Sequence, residues 1–504
     1  MSQQFILDIE FILKAIEEKN GKSANEEYNK ILNFLTDTES AWITSASVPL
    51  LKLLYEKKNS SDGDFLFRIL NQLRIVKTPA YLTLSENQSW SDLHFQIMEL
   101  AAKLIDAKIL SANPEYLKSN GLVIAPEAVL GFESPRQIPF VDLKTQYRNL
   151  NREIDRAIDS TIARTAFIGG SSNVDIKEFE EKFSNYLGIK HCVSCANGTD
   201  SLEILLRSFG IGPEDEVIVP ALSWISTSEA VSSMGAKPVF VDIEENHFTI
   251  DTNLIEKKIT NRTKAIIPVH LYGHPADMGP ILKLARKYNL YVIEDCAQAH
   301  GAEYEGQLVG TIGDAGSFSL FPGKNLGAYG DAGCIVTKDD EIASKARMIA
   351  NHGQLEKHNH VLEGRNSRMD GIQASILNVK LPRLKEWTED RRTNAKTYHE
   401  KLKNLDLLLP KEAKNVKHVY HLFVIRSAKR SQLQSALKKG GVETSIHYPT
   451  PLPFLNAYKQ EGYTKLDFPV AAECCEEILS LPMFPELRLL DIEFISNIIK
   501  KELS

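Results

Sequence analysis

Cysteine is scarce, 6 among 504 residues, which excludes a small secreted scaffold stapled by disulfides. No apolar run approaches the roughly 18 uncharged residues that a membrane-spanning helix needs. The opening Met1–Glu10 stretch has no basic segment, and Asp8 and Glu10 interrupt its apolar residues, so no secretory signal is expected. Positive charge is not in excess either. With 59 Lys and Arg against 66 Asp and Glu, the net charge is −7, and no Lys/Arg cluster is dense enough to track a phosphate backbone, so nucleic acid is not an expected partner. Repeats and low-complexity tracts are absent. What remains is a globular, cytoplasmic chain, 43% hydrophobic and 25% charged, long enough for two to four domains.

Cys192 and Cys195 form a C-x-x-C with no second Cys or His pair at zinc spacing. They are expected to be buried reduced thiols, as are Cys474 and Cys475. The Asn-x-Ser/Thr matches at Asn59, Asn87, Asn197 and Asn261 are expected to be chance.

Two styles of sequence meet near residue 135. From Phe5 to about Leu110, apolar residues recur every three or four positions, and Ser91 and Asp92 could begin the last long helix. This predicts an all-α domain over residues 1–112. A Pro- and Gly-bearing linker over 113–137 follows. Beyond Pro139, short β-branched runs alternate with helical stretches: His191–Cys195, Glu216–Pro220, Pro238–Ile243, Ala265–Val269, Tyr291–Glu294, Ser317–Leu320 and Cys334–Thr337. Such alternation predicts an α/β fold with a mostly parallel seven-stranded sheet covered on both faces, over 138–380. A long polar helix from Trp387 to Leu402, a strand Tyr420–Arg426 and the Gly440–Gly441 turn predict a smaller α+β domain over 381–504.

Ligands of such sheets sit outside the carboxyl ends of the strands. Four segments there carry chemistry suited to a phosphorylated aromatic aldehyde. Cys195-Ala-Asn-Gly-Thr-Asp200 runs from a strand into a helix, where unpaired N–H groups and the dipole favour a phosphate; an ordinary capped Asn-Gly turn reads the same. Val292-Ile-Glu-Asp295 ends a buried strand with two carboxylates. One can face solvent, while the other needs a cationic or N–H partner, such as a pyridinium, or is a plain strand-end acid. Lys324 lies in the apolar loop Ser317-Phe-Ser-Leu-Phe-Pro-Gly-Lys-Asn-Leu-Gly327, placed for the lowered pKa of a Schiff-base lysine, although a surface lysine is the commoner case. The loop is not a P-loop, since Phe318 replaces glycine and Asn325 replaces Ser/Thr. Trp224, after a strand end, is either core or a stacking surface for a planar ligand.

These segments, with Asn366-Ser-Arg-Met-Asp-Gly-Ile-Gln-Ala374 and Ile446-His-Tyr-Pro-Thr-Pro-Leu452, resemble the DegT/StrS-type nucleotide-sugar aminotransferases over about Ile138–Ser504. The resemblance implies the fold type I aminotransferase architecture, pyridoxal 5′-phosphate as cofactor, and a homodimer with shared active sites. By motif, Lys324 should hold the cofactor as a Schiff base and later move a proton between cofactor and substrate carbons. Asp295 should pair with the pyridine nitrogen, and Gln298 should reach the ring hydroxyl. Gly198, Thr199 and Ser319 should bind the phosphate, joined by Asn366 from the partner subunit. Trp224 should lie against the ring, and His447 and Tyr448 should contact substrate. Pro453 departs from the family, which often has His there. The implied activity moves an amino group from glutamate to a nucleotide-linked keto-sugar, with C3 favoured over C4 by Asn366-Ser-Arg, in amino-sugar synthesis for surface polysaccharide or a glycosylated metabolite. A sugar dehydratase of the same family would carry His in place of Lys324, and a non-catalytic regulatory relative would have no need of Lys324, Asp295 and Gln298 together.

Overall fold

A computed structural model describes residues 137–168 and 173–503, together with four short strands earlier in the chain. The chain divides into two compact units, residues 1–136 and 137–504.

The described part of the first unit is a sheet: β1 (Phe5–Leu7), β2 (Ala41–Thr44), β3 (Arg74–Val76) and β4 (Lys108–Leu110), all parallel, in the order β3-β2-β1-β4. This corrects the all-α expectation for residues 1–112. Strands of three or four residues are too short to display a period of two. The apolar residues of β1 and β4 therefore merge into the helical spacing around them. Parallel neighbours also need long crossovers, and the intervals 8–40, 45–73 and 77–107 supply the length. The expected helix from Ser91 and the linker up to residue 136 lie outside the described residues.

In the second unit a seven-stranded sheet joins β5 (His191–Cys195), β6 (Glu216–Pro220), β7 (Lys237–Val241), β8 (Thr263–Ile266), β9 (Tyr291–Asp295), β12 (Ala315–Ser319) and β13 (Gly333–Thr337) in the order β5-β13-β12-β9-β8-β6-β7. Only β13 runs against its neighbours. Successive side chains enter different cores: Val217 and Val219 pack with Leu202, Leu205 and Ile293, while Ile218 packs with Ile266, Ile281 and Val292. Burial on both faces explains why these strands read as unbroken apolar runs. Each large aliphatic side chain so buried contributes roughly 1.5–3 kcal/mol. Two strands, β10 (Glu303–Tyr304) and β11 (Gln307–Leu308), form a small sheet with β14 (Val416–Lys417).

The C-terminal part closes around β15 (Phe423–Arg426), antiparallel to β16 (Ile478–Leu481), with Tyr398, Leu433, Leu437 and Ile495 in its core. Ile138 belongs to this core and pairs with Val442, so the first residues expected to open the large domain are spent on the smaller one. Buried Arg391, in the helix Leu384–Leu402, donates through Nη1 to the carbonyls of Tyr420, His421 and Met483, tying that helix to the end of this strand pair where β15 begins and β16 finishes. Among the described residues no helix is long and apolar enough to cross a membrane, and the cysteines are free and buried.

Candidate active site

The parallel strands β5, β6, β9 and β12 deliver their carboxyl ends to one edge of the sheet. After β5, Asn197 caps the helix Gly198–Ser208, its side chain accepting from Asp200 N at 2.8 Å. The end of β12 nests against this helix start so closely that a Cβ on Gly198 would stand 2.6 Å from Ser319 Cβ. Only glycine fits. Thr199 Oγ1 lies 2.7 Å from Ser226 Oγ, the first residue of the helix Ser226–Ser233. Two helix N-termini and the hydroxyls of Thr199, Ser226 and Ser319 thus form a cradle with the polarity and dipole of a phosphate site.

Asp295 ends β9 and is buried. Its Oδ2 accepts from Thr227 Oγ1 at 2.9 Å and its Oδ1 from Ala297 N at 3.1 Å. Burial pushes its pKa up, and these two hydrogen bonds and the charge of Lys324 oppose the rise without cancelling it. A carboxylate in that position gains most from one further cation. Lys324 sits in the loop between β12 and β13, which closes on itself through Ala328 N to Leu320 O at 2.8 Å and is held by buried Lys380, whose Nζ donates to Gly327 O at 2.8 Å. Burial brings the Lys324 ammonium down to about 8, with Asp295 holding it from falling further. A large neutral fraction near pH 8 suits a lysine that must attack a carbonyl. Next to it, Asn325 Oδ1 pairs with His421 Nδ1 at 3.0 Å.

Trp224 stands at the open rim, 58% exposed, with its ring centroid 5.6 Å from that of Tyr448. Gln298 is engaged at both ends of its amide: Oε1 accepts from Tyr272 N at 2.7 Å and Nε2 donates to the Tyr448 hydroxyl at 2.9 Å. His447 turns toward Ser480, 2.9 Å from its Oγ, and stacks on Phe140; its backbone carbonyl accepts from the Tyr272 hydroxyl. Asn366 is exposed and accepts from Arg368 Nε at 3.1 Å. Its neighbour Ser367 accepts from Ala196 N at 3.2 Å, which brings the segment beside the phosphate cradle.

Glu294 does not face solvent, as one of the two strand-end acids could have done. It is fully buried and accepts from Gly310, Ile312 and Gly313 N, each at 2.8 Å, and faces His270 Nε2 at 2.9 Å. It anchors the turn that leads into β12. Ser223, Ser226, Thr227, Tyr272 and His421 were not foreseen. The first three had a signal, a hydroxyl-rich Ser-Trp-Ile-Ser-Thr directly after β6; the other two had none.

The set fits pyridoxal 5′-phosphate: a cradle that a Cβ would fill, a buried carboxylate short of a cation, and a lysine of lowered pKa. Residues 149–500 match the model of the DegT/DnrJ/EryC1/StrS aminotransferase family. The chain is 46% identical over 354 residues to the "pleiotropic regulatory protein" of Geobacillus stearothermophilus, covering 70% of this chain and 94% of that one. It is 44% identical over 366 residues to the UDP-N-acetyl-3-dehydro-alpha-D-glucosamine 3-aminotransferase of Acidithiobacillus ferrooxidans, covering 73% and 98%. Among solved structures, S. venezuelae DesV in complex with a ketimine intermediate matches with a TM-score of 0.71 at 40% identity, over 72% of this chain and 98% of that one.

Proposed function

The chain belongs to the DegT/DnrJ/EryC1/StrS aminotransferase family, and we propose that it moves an amino group from glutamate to the C3 keto group of a nucleotide-linked sugar. The enzyme is an aminotransferase and its cofactor is pyridoxal 5′-phosphate. The observation that carries the reading is Lys324 coupled to buried Asp295 beside the Gly198–Ser319 cradle. C3 is favoured by the relative named for 3-amination and by Asn366-Ser-Arg.

When bound, the cofactor supplies a carbonyl for the amine and a ring that accepts electrons. The chain does the rest. Gly198, Thr199, Ser226 and Ser319 bind the phosphate, with Asn366 of a second copy completing the cradle in a homodimer. Asp295 holds the proton on the ring nitrogen, and Gln298 serves the ring hydroxyl beside Tyr448. Trp224 covers one face and sheds water from it. Lys324 anchors the cofactor and, once released from it, moves the proton between carbons. His447 and Tyr448 line the sugar side. We read residues 138–380 as the cofactor-binding domain, apart from the Ile138 end that packs into the smaller domain, 381–504 as the smaller domain, 113–137 as a linker and 1–112 as a docking or assembly domain. A cytoplasmic role in surface polysaccharide or glycosylated-metabolite synthesis accords with such a substrate.

The regulatory name of one relative supports a second reading, a non-catalytic protein on the same fold. Intact Lys324 and Asp295 weigh against it. Incubation with glutamate and a panel of UDP- and dTDP-linked 3-keto and 4-keto sugars, read by product mass, separates them: a 3-amino product is expected, and no product with any member of the panel favours the regulatory reading.

A further inference from the structure

The loop after β6 and the first turn of the helix that follows it supply more than a stacking ring. Thr227 Oγ1 donates to Asp295 Oδ2 at 2.9 Å, and the same oxygen lies 2.8 Å from Ser223 Oγ. Both hydroxyls are buried. A hydroxyl has one proton, and an ionised carboxylate can only accept. Thr227 therefore directs its proton to Asp295, and Ser223 must donate to Thr227, so the line has a single polarity as long as Asp295 is charged. The other oxygen of Asp295 is held by Ala297 N at 3.1 Å. Each oxygen is thus fixed by one donor and keeps lone pairs for a cation.

The titratable and charged groups facing Asp295 are Lys324, His270, Tyr448 and the neighbouring Cys296. Lys324 is the strongest support among them, and it is also the group that Schiff-base chemistry takes away. With the Lys324 amine in covalent use, what the chain still supplies to the carboxylate is the pair of hydrogen bonds from Thr227 and Ala297, together with the weaker influence of His270. A hydrogen bond to a charged group is about twice as strong as one between neutral groups, so the Thr227 contact is large enough to matter.

We propose that Thr227 and Ser223 are positioning residues: an ordered hydroxyl line that keeps Asp295 ionised and aims its free lone pairs at the cofactor's ring nitrogen. The proposal rests on the reading of Asp295 as the partner of that nitrogen. Ala297 contributes through its backbone and cannot be removed by substitution, which makes the Thr227 side chain the testable half of the support.

The test loads the full chain with pyridoxal phosphate labelled with nitrogen-15 in the ring and follows the ring-nitrogen chemical shift against pH. Thr227→Val keeps the shape and removes the donor. Its protonation midpoint is expected about one pH unit below that of the unsubstituted protein, about tenfold in the equilibrium, or, where the midpoint lies beyond the stable range, its neutral-pH signal displaced toward the unprotonated ring. Thr227→Ser should restore the original value, and Ser223→Ala should move it the same way by less. A Thr227→Val holoprotein with an unchanged signal overturns the proposal. Should Thr227→Val not hold the cofactor, Ser223→Ala decides, and an unchanged signal there overturns it too. An unprotonated ring nitrogen in the unsubstituted protein at every pH contradicts the pairing with Asp295 itself, a distinct failure.

Discussion

Lys324 and Asp295 could be singled out as candidates because one lies just beyond an apolar strand and the other at the end of one, each in a segment with a recognisable order of neighbours. Their partners were not. That Thr227 reaches Asp295 across 68 positions, or that Gln298 clasps Tyr448 across 150, depends on the sheet order, which no local spacing encodes. The fate of Glu294 was hidden for the same reason, since its four donors come from a turn and a histidine distant in sequence. Two expectations follow at this scale. Borohydride reduction of the holoprotein, with peptide mapping, should place the pyridoxyl group on Lys324; a modified peptide elsewhere would remove Lys324 as the anchor. Asp295→Asn should keep the cofactor but lose at least about a hundredfold in turnover, because a neutral amide does not hold the ring nitrogen protonated and each pK unit of lost support is worth about 1.4 kcal/mol. Near-normal turnover would take Asp295 out of the site.

Elements were legible where both faces are buried. The strand His191–Cys195 and the strand Glu216–Pro220 coincide with the apolar runs, and the helix through Trp387 extends only three residues earlier than expected, to Leu384. The strand expected from Tyr420 begins at Phe423 instead. Tyr420 has a positive φ of 45°, and its carbonyl and that of His421 are bound by Arg391 rather than by a neighbouring strand. The reversal of β13 was not expected; it follows from the Lys324 loop, which turns the chain back beside β12. The element that carries the phosphate cradle yields its own expectation. In Gly198→Ala the new Cβ would meet Ser319 Cβ at 2.6 Å, so helix start and strand end must part. Cofactor affinity, measured by fluorescence titration of the cofactor-free protein, should fall about tenfold or more, roughly 1.4 kcal/mol, and unaltered affinity would mean that the phosphate lies elsewhere.

At the scale of the whole molecule, the fold of residues 137–504 was legible and that of the first unit was not. The difference is physical: strands of four or five residues with both faces buried announce themselves as apolar runs, whereas strands of three or four residues set in a helical spacing do not. The division at residue 136 leads to the expectation that a chain beginning at Gln137 retains cofactor binding. The proposed sharing of the active site between two copies has a sharper consequence. Mixing Lys324→Ala chains with Asn366→Ala chains should yield heterodimers with one site carrying both defects and one carrying neither, so that activity partly returns. Heterodimers without rescue would confine Asn366 to its own subunit. All of this depends on amino transfer to a nucleotide sugar through Lys324. The direct measurement supplies glutamate labelled with nitrogen-15 and UDP- and dTDP-linked 3-keto sugars in turn to the unsubstituted protein and to Lys324→Ala, and locates the label in the product by NMR. Label on the sugar's C3 with the unsubstituted protein and none with Lys324→Ala is the expected result; label transferred equally by both, or by neither, contradicts the account.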